Sequence, residues 1–451
     1  MNLIKFFLII LLWSFWGFSA NAQRKVSVYY DTIPNQVKEE YFVIQKGEQT
    51  IRQGHYRSFY PKGQLASFGR YQDGKRDSIF TVYYSSGEKQ LEVKYENDRK
   101  NGDFLVYSRA GKVLQKGIYQ DDSLTNTLIN YDENGQMLKK SNFVNGKLNG
   151  KVETFYPNGN LQEEAEYVNG KINGILKNYY ESGKLKSEEE YLNGNQNGIF
   201  KTYYETGQIQ VSARNKNGLK EGDFLQYSPE GVITLKTFYI ADKTDKYYLA
   251  YYKDGTPKQE TYFKKGERSG TEKFFYPNGK AKQIIKYENG ELDQNINDFY
   301  EDGTPKSEKT IKMAKPFGTW KYFFANGKIQ IEEPYTNGKI EGTRKTFRQD
   351  GSLESEEQYL KGVKTGYVSL YDESGKIKEQ IPYRSDMKAG TYKSFHSNGK
   401  PSVIGIYRYG KKNDAWRFYD EKGKLLKTIM YNADKLISEK VEPTEDKKDG
   451  Q

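Results

Sequence analysis

Two histidines, several knots of acid and no cysteine are what this chain offers for catalysis or metal binding. His55 and His396 stand near opposite ends of the 451 residues. A zinc site takes three or four clustered Cys, His or carboxylate ligands, and only carboxylates are abundant here. They gather as EEAE at 163–166 and EEE at 188–190. Acid–base work needs two carboxyl groups at fixed separation in a pocket that pushes their pKa values apart. Acids recurring along exposed strands read instead as a solvated face. No G-x-x-x-x-G-K-[ST] run and no EF-hand loop is present, so the 43 glycines read as turn residues rather than phosphate cradles. The chain reads as non-enzymatic, with no catalytic residue, metal or cofactor.

A different chemistry is suggested by basic residues at a fixed place: Lys75, Arg99, Lys147, Lys171, Lys243, Lys315, Lys339, Lys411 and Lys435. Each follows a turn. Aligned on one edge, they would form a row able to bind an anionic surface. The same row could serve solubility and guard exposed β-structure against sheet-to-sheet pairing. The formal net charge of +11 fits an anionic lipid, an acidic glycan or an acidic protein.

The elements that place these lysines follow from a metre in the sequence. From Gly63 onward a glycine occurs every 24 residues, sixteen times, up to Gly423. Four residues before each of these ruler glycines stands an aromatic, from Phe59 and Tyr83 to Tyr419. Eight residues after, there is an aromatic in all but two units, which carry Asn215 and Ile311. Eleven after stands Gly ten times, Asp five times and Ala once, at Ala314, and fifteen after, Gly is frequent again, as at Gly102, Gly150 and Gly174. Glycine at fixed spacing marks positive φ, and Asp tolerates that region better than most residues. PNG, ESG and EDG around the ruler glycine predict a type I turn followed by a left-handed glycine. The runs between turns, such as KVETFY and NLQEEAEY, have strand length and strand composition.

Each 24-residue unit is therefore a β-hairpin, and the fold class is all-β. We expect an elongated single antiparallel meander of about sixteen hairpin repeats, each advancing about 10 Å. One hairpin cannot bury enough to stand alone, so the recurrent aromatic rows should form the shared core. The slot after the first aromatic usually holds Tyr, but Ser108, Asp132, Ser228, Arg348, Asp372 and Asp420 replace it, which suggests a place where composition varies freely. GDFLVYS at 102–108 returns as GDFLQYS at 222–228, a five-unit offset that points to duplication.

The ends differ from the array. Lys5, the apolar run at 6–18 and Ala20-Asn21-Ala22 form a signal peptide at 1–22, with cleavage after Ala22 and export to the periplasm or beyond. Export argues against a nucleic-acid partner. Residues 23–50 miss the metre and read as an N-terminal cap, 51–437 as the repeat array and 438–451 as a disordered polar tail.

FYPNGNLQEEAEYVNGKING, NYYESGKLKSEEEYLNGNQNG and TYYETGQIQ resemble the MORN-repeat variant family, in particular bacterial YwqK-type toxin–antitoxin antitoxin-like proteins. The resemblance covers about 54–434. It implies hairpin sheets that act as scaffolds or lie against membranes, and, for the antitoxin branch, the neutralising of a toxin partner. The expected function is thus an exported scaffold for protein–protein or envelope-surface binding. The alternatives are an antitoxin or immunity-type role and a lipid- or glycan-binding surface. The partner's identity and the oligomeric state are not encoded in the pattern.

Overall fold

The computed structural model describes residues 22–443. The expected signal segment lies outside the described residues except for its last position, and so do 444–451 of the expected tail. The described residues are strands and turns without helix, and their strand pairings are antiparallel. The chain divides into two units, Met1–Gly207 and Gln208–Gln451.

In the first unit the strands run from Arg24–Tyr29 to Asn195–Tyr203, each paired with the next in sequence. The metre begins to be felt before Gly63: Val37–Lys46 pairs with Gln49–Phe59, inside the segment read as a cap. The second unit is the same meander from Ile209–Lys216 to Lys435–Val441. Its last strand carries pairing to Val441, four residues into the stretch read as a polar tail.

Each hairpin uses two turns with different chemistry. At the ruler turn Gly159 N donates to Tyr156 O (2.9 Å) and Tyr156 N to Asn160 O (2.8 Å), with Gly159 at φ 89°. This is the type I turn with a left-handed glycine that PNG predicts. The other turn has two residues, both left-handed: Asn145 (φ 49°) and Gly146 (φ 75°) join Val144 to its cross-strand partner Lys147. Such primed turns match the right-handed twist of the strands. The third recurrent glycine fills a bulge. Between Ser141 and Phe143 the register shifts, and Gly150 opposite them sits at φ 99°. Asn126, Lys246 and Asp414 accept the same left-handed slot at φ 55°, 58° and 58°.

The core lies elsewhere than the aromatic metre suggests. Its buried line runs through the seventeenth residue after the ruler glycine, fully buried at Phe104, Val152, Leu176, Val368 and Trp416 and half-buried in most other units. Opposite stands the sixth residue: Val93, Ala165, Ala213 and Ile429 are buried, and Gly117 and Gly405 share the position. The two lines pair directly, as in Phe104↔Gly117, Val152↔Ala165 and Tyr392↔Gly405. Bulk on one strand meets a small residue on the next, which keeps volume constant in a thin layer. A Cβ at Gly117 would come within 2.7 Å of the Phe104 ring, so this glycine supplies space rather than a turn. The metrical aromatics, such as Phe155 and Tyr167, are half-buried, except for the buried Tyr287. Tyrosine keeps a polar tip that must reach water or a partner, so it flanks the core rather than filling it.

Candidate functional site

The strand register turns the repeated side chains into stitches between consecutive hairpins. On the ruler-turn edge, Tyr156 Oη donates to Tyr179 O (2.8 Å) and Tyr180 Oη to Tyr203 O (2.7 Å). Tyr60, Tyr84, Tyr252, Tyr276 and Tyr300 repeat the bond one unit forward. His396 occupies this slot and places Nε2 2.9 Å from Tyr419 O, and the Arg348 guanidinium reaches Tyr371 O. The remaining substitutes turn inward. Asp132 accepts from Asn134 N and Gln136 N, Asp372 from Ser374 N and Lys376 N, and Asp420 from Lys422 N and Lys424 N. Ser108 and Ser228 accept the corresponding amides of their own turns. Apart from Phe324, which has no polar group, the side chains described in this slot either staple the next hairpin or cap their own turn.

On the two-residue-turn edge the second turn residue hooks backward. Gly146 N donates to Leu124 O (2.8 Å) and Gly170 N to Leu148 O (2.8 Å). Where Asp replaces glycine a second bond is added. Asp98, Asp122, Asp242, Asp386 and Asp434 accept through Oδ1 from the amides of Arg76, Lys100, Lys220, Lys364 and Lys412, at 2.7–2.9 Å. Those basic side chains lie over Tyr95, Tyr119, Tyr239, Tyr383 and Tyr431.

All nine candidate basic residues fall on this edge in their respective units. Each is exposed and is the first residue of a strand leaving a two-residue turn. The row is broken into neighbours. Lys75 and Arg99, Lys147 and Lys171, Lys315 and Lys339, and Lys411 and Lys435 stand two strand spacings apart, about 10 Å. Ser123, Asn195, Leu219, Glu267, Val363 and Met387 hold the same place in other hairpins. Among the described residues, the basic member that finds an ion pair is Arg99, with Asp121 at 3.2 Å. Across the turn from three of these residues stand exposed apolar side chains: Val144 faces Lys147, Val168 faces Lys171 and Ile240 faces Lys243, whereas the other six face Gln72, Glu96, Lys312, Thr336, Arg408 and Asn432. Met313 (78% exposed) and Tyr409 (86%) occupy turn tips outright, both at positive φ. The basic row was legible in the sequence. Its apolar companions were not singled out, and their place in the metre is apolar only at Val144, Val168, Leu192, Ile240 and Leu360.

The acids are committed to structure. Glu92, Glu164, Glu188 and Glu356 accept from Tyr107, Tyr179, Tyr203 and Tyr371, at 2.6–2.8 Å. Burial opposes ionisation of Glu164, but Lys151 and Tyr179 hold its pKa below the usual carboxylate range. The two histidines lie in different units, with His55 stacked on Phe68. Among the described residues no three His, Cys, Asp or Glu side chains gather as a metal site.

The tyrosine partners predict an alkaline transition. Burial first, and then the bond to glutamate, raise Tyr107, Tyr179, Tyr203 and Tyr371 from about 10 to about 12. The unfolded chain releases these protons first. The stability they contribute is therefore intact below about pH 10 and lost as pH rises toward about 12. Urea midpoints should fall across that window, and the fall should flatten in Y107F/Y179F/Y203F/Y371F. An equal fall in that variant would remove these pairs as its cause.

The hairpin, its two turn types and its forward and backward stitches define a β-hairpin repeat protein. Seven stretches match the MORN repeat variant: 124–145, 148–169, 172–193, 196–214, 268–294, 318–337 and 364–385. No curated protein matches the chain. Among solved structures, the TcdB2-TccC3 crystal structure is similar over 91% of this chain and 31% of that one, with 10% identity and a TM-score of 0.15. The Photorhabdus luminescens Tc holotoxin pore gives 11% identity over 91% and 26%, with a TM-score of 0.14. The chain spans less than a third of either, and likeness at such scores is no guide to function.

Proposed function

We propose that this chain is a non-enzymatic repeat scaffold, exported through residues 1–22, that binds a protein partner along its two-residue-turn edge. The observation that carries the reading is the row of exposed basic side chains on that edge, three of which, Lys147, Lys171 and Lys243, face an exposed apolar side chain across the turn. Apart from Arg99, which pairs with Asp121, the basic side chains there are free of the stitching, so a partner can use them without unpicking the fold. Fully exposed charge alone would serve solubility; charge beside apolar surface offers a partner both steering and burial. Neutralising a toxin, as the YwqK-type resemblance implies, is one form of such binding. An anionic membrane is the second reading, since basic and apolar groups together also suit a lipid interface.

The test is capture from an envelope extract by the full chain and by K147E/K171E/K315E/K339E/K411E/K435E. A partner held by the wild-type chain should be lost at least tenfold from the variant. Equal capture by both would place binding elsewhere. Flotation with phosphatidylserine vesicles, abolished by the same variant, would select the membrane reading over the protein one.

A further inference from the structure

The opposite edge carries a second, differently built surface. In three consecutive hairpins of the second unit a lysine lies over the stapling tyrosine. Lys258 Nζ is 5.8 Å from the Tyr252 ring centre, Lys282 5.8 Å from Tyr276, and Lys306 5.7 Å from Tyr300. The staples hold the rings in place, with hydroxyls 2.8–3.0 Å from the carbonyls of Phe275, Phe299 and Phe323. Between the second and third hairpins a groove of 520 Å³ opens, lined by Tyr276, Lys282, Phe299, Lys306, Tyr322 and Asp298, among others. The carboxylate in it is already taken. Asp298 accepts from Ser307 Oγ (2.5 Å) and Gln283 Nε2 (2.7 Å) and pairs with Lys309 at 3.1 Å. Lys258, Lys282 and Lys306 have no ion pair among the described residues. The lining thus presents two unpaired ammonium groups beside aromatic rings, repeated about every 10 Å along the unit.

We infer that this groove, extended one hairpin back by the Lys258–Tyr252 pair, binds an acidic polysaccharide, with sugar faces on the tyrosine and phenylalanine rings and carboxylates on Lys282 and Lys306 within it and on Lys258 beside it. Three features favour that ligand. Rings fixed beside cations suit the apolar face and acidic group of a sugar acid. An evenly pitched cation row suits a polymer charged at regular intervals. The strands beneath are hydrogen-bonded on both sides, so an extended peptide has no sheet edge to join. A bilayer is disfavoured because these lysines lack the exposed apolar companions found on the other edge. The proposal uses different residues from the turn-edge binding above and can fail without it.

The experiment is retention of the full chain on immobilised hyaluronate, with dextran and poly-glutamate as comparisons. Hyaluronate should retain the chain in a salt-sensitive way, dextran should not, and poly-glutamate should bind at least tenfold more weakly. K258Q/K282Q/K306Q should lose at least tenfold in affinity while melting as the wild type does. The single variant K282Q should lose at least threefold, and K315Q/K339Q on the other edge should change nothing. No retention by wild type, undiminished retention by the triple variant, or equal binding of poly-glutamate would overturn the proposal.

Discussion

Replacing Trp416 by alanine will destabilise the last hairpins of the second unit by about 3–5 kcal/mol, the range for truncating a buried aromatic. Trp416 is 3% exposed, stacked on Tyr392 (centroids 5.2 Å apart) and edge-on to Tyr407 and Tyr431. Lys412 lies over the indole, with Nζ 4.6 Å from its centre. Gly405 owes its identity to this ring, because a Cβ there would fall inside the indole, and its φ is not positive. Gly405→Ala should therefore cost about 1–3 kcal/mol by overpacking. In the Trp416→Ala background the same change should cost almost nothing, since the added methyl enters the vacated space. Urea unfolding of the four-member cycle measures the coupling. Additive losses would show that bulk and glycine do not compensate. Repeat proteins couple mainly to neighbours, so hydrogen exchange should place the damage near 390–441.

Glu272→Ala is the second large effect expected. The seventeenth position holds apolar or aromatic residues in most hairpins, but here holds a carboxylate only 3% exposed. Its oxygens accept from Tyr287 Oη (2.6 Å), Thr261 Oγ1 (2.7 Å) and Gln259 Nε2 (3.1 Å). Thr261 and Tyr287 are themselves buried, so removing the acceptor leaves donors without water or partner. A loss of about 2–4 kcal/mol is expected from the buried hydroxyl donors left unsatisfied. Glu272→Gln keeps an acceptor oxygen and the volume, and should lose about 1–2 kcal/mol. Urea midpoints will rank the two, and equal losses would mean that the charge, rather than the acceptor, holds the cluster together.

How much of this was legible follows from what each feature demands of a residue. The ruler glycines were readable because positive φ restricts residue type at one position. The same reason exposed Asp as the substitute for glycine at Asp98 and Asp122. That Asp also receives the amide of the preceding hairpin was not readable, because it requires knowing which residues become neighbours 22 positions apart. The buried line was hidden for a different reason. Phe104, Val152, Glu272, Arg344 and Trp416 share one place in the metre, where residue type ranges from aromatic and aliphatic to charged. What is kept there is the fit to the neighbouring strands, as with Arg344, which pairs with Glu333 at 2.9 Å and with its register partner Glu357 at 3.8 Å. The basic row was visible as composition at a fixed place, whereas the Lys–Tyr pairs of the ruler-turn edge required the fold to bring Lys282 back over Tyr276.

The duplication signal has a structural counterpart. Asp122 and Asp242 make the same backward bond, and Asn126 and Lys246 take the same left-handed bulge position. Shared departures of this kind persist because each hairpin is fitted to its neighbours rather than to an average repeat.

The central functional claim is that the two-residue-turn edge is where this scaffold meets its partner. Hydrogen exchange of the full chain, alone and with the captured partner added, reads that edge directly. The account predicts slowed exchange at turn and flanking amides such as 144–147, 168–171, 312–315 and 408–411, with the ruler turns unchanged. Slowing confined to the ruler turns or strand centres would contradict it.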